Sequence, residues 1–581
     1  MVSTRGIRRV QVNTWALLGV AVVWLAVNLR WIVLYRDGQV FDIDEAGYFG
    51  MALNNHGAAL RDGISGWFEA VEAPGIQAPL LPALTSLHFF LTGTGTVAAF
   101  VVPLLAGVAL ILLTHAVANR IAGRPFAWIA TVVIATAPGV IYEARAYHFA
   151  LPAAVMTTAA IYFLIRSEGL SKPKFVVLFG VFAGLMPLAR TMAIAFVPAL
   201  VLAALIQAVW PPDRRKRLKW FALAAVVGAG VAALWLAPNG VRVYRYLTGF
   251  GYGKQSVEFG SEAGVFNPAA WAERLRLLIS DHGLPHAVLL CAGLIAAIVV
   301  AISKLRTGGP VKETLRSMVA SPLFPSALLV AEGGVAVLTS KNMGTAFFLP
   351  LIPSMTVLAL WGFFRAHRSL RKALPFVVAV VGVVALVPFV DLRLPTARHW
   401  EAQLPVLGSA KITDGRGVPQ IYPDPGSKAT EQLSVETARE WHSVAEWAAQ
   451  QVVDNHAVGG ASGFGFRDRL FNTNSLQLEM LRRFGYGVAL PQISPTEDGN
   501  TEPDYRIWLT EFHGSNSGDA SKTCLLFTAS GTINEYEPKV DPPSMASAAA
   551  ASGFTPIATR PLPNGRSVTL WRRPQPTCVP S

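Results

Sequence analysis

Apolar runs long enough to cross a bilayer recur through the first two thirds of the chain and then stop. With about 20 residues taken as one span, they predict eleven transmembrane helices, near residues 15–35, 96–118, 126–142, 149–165, 175–189, 191–210, 220–238, 284–302, 322–338, 347–364 and 374–390. From Asp391 the pattern turns polar. Helical spacing around Trp441 and Trp447 predicts a helix over 434–455, and 475–484 suggests a second. Stretches 505–512, 523–527 and 567–571 read as strands. The chain therefore divides into a membrane domain, 1–390, and a small α/β domain, 391–581. Two connectors in the membrane part are unusually long. The first, 36–95, carries Trp67, Phe68 and an apolar run near 80–91, and it predicts short helices lying on the membrane, entered through Ala78-Pro79-Leu80-Leu81-Pro82. The second, 239–283, combines a glycine-rich stretch with Arg242, Tyr244, Arg245 and Tyr246 and reads as a candidate lid. The glycines at 459–463 read as a turn and not a nucleotide fingerprint, since no strand–helix–strand context with a following acid surrounds them.

Composition agrees with lipid as the solvent. The chain is 52% hydrophobic and 15% charged, more apolar surface than a soluble core could hide. A formal charge of +13 would suggest nucleic acid in a soluble protein. Here the basic residues sit in alternate short loops, among them Arg214, Arg215, Lys216 and Arg217, so no nucleic-acid partner is expected and the positive-inside rule applies. Arg5, Arg8 and Arg9 precede the first run, which is longer than a signal-peptide core and reads as an uncleaved span. With the N-terminus cytoplasmic, an odd number of spans puts the 36–95 connector and the polar C-terminal domain outside the cytoplasm. Of three cysteines, Cys291 lies in an apolar run, while Cys524 and Cys578 fall in the tail and leave room for one disulfide. No metal-type cysteine or histidine spacing is present, and no internal repeat.

Acids then stand out by position. Phe41-Asp42-Ile43-Asp44-Glu45-Ala46-Gly47-Tyr48 places three carboxylates just beyond the first apolar run. The pair Asp44-Glu45, with Tyr48 three residues on, resembles the first external loop of C-type membrane glycosyltransferases, the protein O-mannosyltransferase and lipid A aminoarabinose transferase group. In that group the Asp sits beside the reacting sugar. Further segments resemble the same group in the same order. Ala78 to Pro82 is similar to its Lys-Pro-Pro-Leu-Tyr-Pro, with Gln77 where the Lys is usual; an alternative alignment places Glu72-Ala73-Pro74 on a Glu-Lys-Pro and keeps the acid. In Glu143-Ala144-Arg145-Ala146-Tyr147-His148-Phe149-Ala150-Leu151-Pro152, Arg145 and Pro152 match, Ala150 replaces an Asp, and His148 or Glu143 is left to take that Asp's place. Gly184-Leu185-Met186-Pro187-Leu188-Ala189-Arg190 resembles the Gly-Leu-x-x-Leu-x-Lys/Arg signature. Ser340-Lys341-Asn342, ahead of Leu349-Pro350-Leu351-Ile352-Pro353, is similar to the group's Lys/Arg before a Leu-Pro-x-x-Pro helix.

The resemblance implies the C-type fold and a polyprenyl-phosphate sugar as donor, transferred with inversion to a glycan, lipid or protein acceptor. Such a reaction needs a carboxylate to take the acceptor proton and cations to hold the departing phosphate. Asp44 and Glu45 are the candidate catalytic residues, Asp44 as the base, with Glu45 or Asp42 positioning substrate or a metal and Tyr48 on the substrate side. Glu72, Glu143, Arg145, His148, Arg190, Arg242, Arg245 and Lys341 are the candidates on the substrate and phosphate side. The residues name no certain cofactor; a divalent cation is possible, with Asp44 and Glu45 as its ligands. An Ala-, Val- and Gly-rich, Arg-favouring chain points to a GC-rich bacterial source, hence a multi-pass inner-membrane protein with an envelope or cell-wall acceptor. The competing class is a transporter or flippase of a lipid-linked substrate, which predicts ionisable residues in mid-helix and repeat symmetry.

Overall fold

The structure is a computed structural model, and it describes residues 4–73, 75–210, 213–253, 267–307, 310–340, 346–390, 400–404, 408–413, 420–421, 431–455, 460–466, 468–492, 502–511, 513–514, 518–519, 523–530 and 542–573. It is mainly α-helical, and two compact units divide it out of chain order. One comprises Met1–Ile32, Val71–Leu84 and Phe100–Gly415; the other comprises Val33–Ala70, Thr85–Ala99 and Arg416–Ser581.

In the first unit every one of the expected apolar segments carries a helix. Six described helices are long and apolar enough to cross a membrane, and up to eight if each of two bent pairs counts as one span. One pair is Arg124–Ala135 with Pro138–Ala144, bent by 59°, where Pro138 cannot continue the preceding turn; the other is Val311–Val319 with Phe324–Thr339, bent by 90°. Ala150–Arg166, Pro173–Ala189 and Ile352–Ala366 are apolar but short. The count of eleven spans is therefore not confirmed. Close helix pairing rests on glycines. A Cβ on Gly180 or Gly184 of Pro173–Ala189 would meet the backbone of Ala224 or Gly228 on Arg214–Tyr252. Gly293 and Gly362 likewise let Leu284–Thr307 and Ile352–Ala366 approach backbone to backbone. In lipid, where apolar side chains gain little by leaving the solvent, such small-residue contacts are what bring helices together. The 239–283 segment expected as a loop is helical at both ends. Arg214–Tyr252 runs on through it, and Pro268–His282 starts at Asn267, whose side chain accepts from the Ala269 amide; residues 254–266 lie outside the described ones.

The 36–95 connector is helical as expected. Ile43–Glu72 breaks at Gly63, which takes φ +67°, and Leu80–Thr92 follows the Ala78-Pro79 turn. In the second unit, Val435–Asp454 and Thr473–Phe484 form the two expected helices. A four-stranded sheet runs in the order Ala461–Phe464, Thr523–Ala529, Ser567–Arg572, Thr555–Pro561, its first pair parallel and the others antiparallel. Two expectations fail here. Residues 505–511 are part of a helix, Glu502–Glu511, because Tyr505, Trp508 and Leu509 repeat with helical spacing and all three are buried, with Glu502 and Asp504 in the first turn. Of the 459–463 stretch expected as a turn, residues 461–463 lie in the fully buried strand Ala461–Phe464, whose Gly463 accommodates Thr523 of the neighbouring strand, and Gly459 lies outside the described residues. Phe464, Phe466, Phe471 and Phe527 pack the centre together with Trp441 and Met480. Cys524 is disulfide-bonded and Cys291 is a free thiol; Cys578 lies outside the described residues.

Candidate active site

The acidic stretch folds as the first turn of Ile43–Glu72, and its three carboxylates take different environments. Asp42 precedes the helix and caps it, its Oδ1 accepting the amides of Asp44 and Glu45, both at 2.9 Å. Glu45 reaches back to the Asp42 amide at 3.3 Å, which completes a reciprocal capping box. Glu45 is also buried against Arg36, whose Nη2 donates to both carboxylate oxygens at 2.7 Å; the two side chains are 4% and 3% exposed. Asp44 alone of the three is exposed. Sequence shows three equivalent acids, and folding separates them into a cap, a buried ion-pair partner and a carboxylate facing outward. Tyr48, one turn on, is buried, as are Phe41 and Phe49, whose rings meet edge to face at 5.6 Å.

The first unit gathers a second set. Ala144 ends the Pro138–Ala144 helix, and the chain turns through 145–149 before Ala150–Arg166. Within this turn the buried Glu143 carboxylate meets His148 Nδ1 at 3.0 Å. Arg145 is buried, donates from Nε to Asn28 Oδ1 at 2.8 Å and lies 4.6 Å from the Trp31 ring centroid, both partners on the first helix. Burial lowers its guanidinium to about 9, which leaves it charged at neutral pH. Arg190 sits between Pro173–Ala189 and the short helix Thr191–Phe196, clamped by Phe149 at 4.7 Å and Phe347 at 4.3 Å, and donates to the Ala346 carbonyl at 2.9 Å. Phe149 in turn lies against the His148 ring at 3.9 Å, so Glu143, His148 and Arg190 form one chain of contacts. Ala346, a non-glycine residue at φ +59°, is held from its other side by Asp281, whose Oδ2 accepts its amide at 3.0 Å.

Glu72 closes its helix with an exposed side chain, and Arg242 and Arg245 are exposed on Arg214–Tyr252; none of the three belongs to that chain of contacts. Asn239 joins the two elements by donating to the Glu72 carbonyl at 3.2 Å. Lys341 lies outside the described residues. Arg36 occupies both Glu45 oxygens, so Glu45 does not suit a cation ligand. Among the described residues, the grouping of ligand-type side chains is instead His442, Glu446 and Glu479. Its carboxylates already face Arg483 at 3.7 Å and Arg482 at 3.1 Å, an ion-pair network that meets their charge. Sequence reasoning passed over Arg36, Asn28 and Asp281. Only Arg36 left a signal, a cation at the end of the first apolar run nine residues before Glu45.

Described helices long and apolar enough to cross a membrane in the first unit, and a small mixed sheet in the second, are the architecture of a polytopic membrane protein with the fold of the C-type glycosyltransferases. Residues 76–236 match the family model described as dolichyl-phosphate-mannose-protein mannosyltransferase. Among solved structures, ArnT from Cupriavidus metallidurans in the apo state is similar over 96% of this chain and 98% of that one, with 15% identity and a TM-score of 0.55. ArnT bound to undecaprenyl phosphate gives 0.52 at 15% identity, over 96% and 97%. The arabinofuranosyltransferase AftD from Mycobacteria also gives 0.52 at 15% identity, over 97% of this chain but 40% of AftD. No curated protein matches the chain at a significant level.

Proposed function

We propose that the protein transfers a sugar from a polyprenyl-phosphate donor to an acceptor hydroxyl, with Asp44 as the base. The observation that carries this reading is the division of the acidic turn: Asp42 caps the helix and Glu45 is buried against Arg36, while Asp44 is the exposed carboxylate of the three. In the reaction the acceptor oxygen attacks the anomeric carbon and Asp44 takes its proton. The bond from that carbon to the lipid-phosphate oxygen breaks opposite the incoming oxygen, so the centre inverts. The electron pair leaves on the phosphate, and Arg145, Arg190 and Lys341 are the cations proposed to hold it. A phosphate is already a competent leaving group, so the chemistry asks for no strong acid. Glu143 and His148 are proposed to hold sugar hydroxyls. A family match to a mannosyltransferase model and a fold shared with an undecaprenyl-phosphate-binding ArnT support the donor class. The basic loops support a bacterial inner-membrane protein with cytoplasmic N-terminus, with the active site and the polar domain, 391–581, outside and the domain helping to bind an envelope acceptor.

The test is transfer of label into membrane extracts from a panel of radiolabelled undecaprenyl-phosphate hexoses and pentoses. One donor should be consumed by membranes holding the protein and by none lacking it. If all donors are left intact, the transferase reading fails and transport of a lipid-linked substrate replaces it.

A further inference from the structure

The acidic turn folds in one compact unit with the C-terminal domain. Val40 is 2% exposed and belongs to the same core as Trp441, Phe471, Leu476 and Met480, and its amide donates to the Ala438 carbonyl at 3.3 Å. Thr473–Phe484 then lies along one face of the acidic helix. Asn474 Nδ2 donates to the Ile43 carbonyl at 2.8 Å, and a Cβ on Gly47 would come within 2.9 Å of that nitrogen. About two turns on from that contact, Leu481 lies beside Gly50 and the Arg482 guanidinium stands 6.0 Å from the Phe49 ring centroid. Positions 43, 47 and 50 share a helix face, as do 474 and 481, so this is packing along a seam. Arg469 adds a charge 3.9 Å from Asp42 Oδ2.

Asn474 is itself fixed. Asn472 caps its helix by accepting the amides of Asn474 at 2.9 Å and Ser475 at 3.1 Å, while Ser475 Oγ accepts the Asn472 amide at 2.9 Å. The Ile43 carbonyl belongs to the first residue of the acidic helix, one position before Asp44. A donor seated on it sets the rotation of that first turn and so the direction in which Asp44 faces.

We infer that the C-terminal domain holds the catalytic turn in register, with Asn474 as the positioning residue and Gly47 as the gap that admits it. This rests on the reading of Asp44 as the base. It assigns the domain a task beyond acceptor binding, since without Asn474 the base is present but misdirected. Alanine leaves the Asn472–Ser475 cap of that helix intact, so Asn474→Ala is expected to fold.

The test uses the full-length protein in lipid nanodiscs, with wild type, Asn474→Ala, Gly47→Ala, their double variant and Asp44→Asn assayed on the undecaprenyl-phosphate sugar that the panel selects. Asn474→Ala should lower kcat by about tenfold to a hundredfold with the donor KM near wild type, as expected for a misplaced group. Amide exchange at Asp44 and Glu45 should quicken, and the melting point should hold. Gly47→Ala should do the same by pushing Asn474 away, and the double variant should be no worse than either, because both act through one contact. Wild-type kcat in Asn474→Ala beside an inactive Asp44→Asn overturns the inference and leaves the transferase reading standing. A loss that tracks only the amount of folded protein overturns it too. An active Asp44→Asn instead removes the catalytic reading, and the exchange rates alone then decide whether Asn474 holds the turn.

Discussion

Glu45 and Asp44 are neighbours in the chain, and burial gives them opposite tasks. Glu45 forms a buried, doubly hydrogen-bonded pair with Arg36. Removing one member takes this doubly hydrogen-bonded contact from a buried charge, a change that costs about 3–5 kcal/mol. Glu45→Gln should therefore lower the melting point of the purified protein by several degrees, and an unchanged melting point would show that Arg36 finds another partner. Arg190 illustrates a second residue-scale point. Its planar head stacks between Phe149 and Phe347 and donates to the Ala346 carbonyl, a combination that the compact ammonium of lysine cannot reproduce. Arg190→Lys keeps the charge and should still reduce label transfer about tenfold; transfer at the wild-type rate would mean that charge alone suffices. The sequence displays these acids and cations but not their burial. The Asp42-x-x-Glu45 spacing of a capping box is visible in it, whereas Asn474 lies 431 residues from Ile43 and nothing local announces the contact.

Elements were legible where the pattern is long and uniform. Each apolar run became a helix, and the tail's two helices formed where the spacing of Trp441, Trp447 and Leu476 to Met480 placed them. Short segments misled. Residues 505–511 hold enough aromatic residues to pass for a strand, and only the three-four spacing of Tyr505, Trp508 and Leu509 marks a helix packed under the sheet. Span length was the other loss, because Pro138 divides the 126–142 run into two shorter, bent helices. Glycines in the membrane helices sort by what faces them. Gly184 has the Gly228 backbone against it, while Gly230 on the partner helix has no protein atom within 4 Å of a would-be Cβ. Gly184→Val should push apart Pro173–Ala189 and Arg214–Tyr252, at a cost of about 1–3 kcal/mol, and lower the yield of monodisperse protein. Gly230→Val should be tolerated. Equal tolerance of both would contradict the packing.

At the scale of the whole molecule, the class came from the order of the weak motifs along the chain, and from a fold that neighbours ArnT and AftD share at 15% identity. Identity that low carries architecture and leaves chemistry to particular side chains. Transport of a lipid-linked substrate would need no base, so a single carboxylate separates the two readings. The deciding measurement is label transfer by full-length Asp44→Asn against wild type, at matched folded protein and with the donor that wild type consumes. Loss of about a hundredfold to ten-thousandfold, the range for a positioned general base, with the melting point unchanged, is the predicted result. Transfer at the wild-type rate would contradict the account and remove Asp44 from the chemistry.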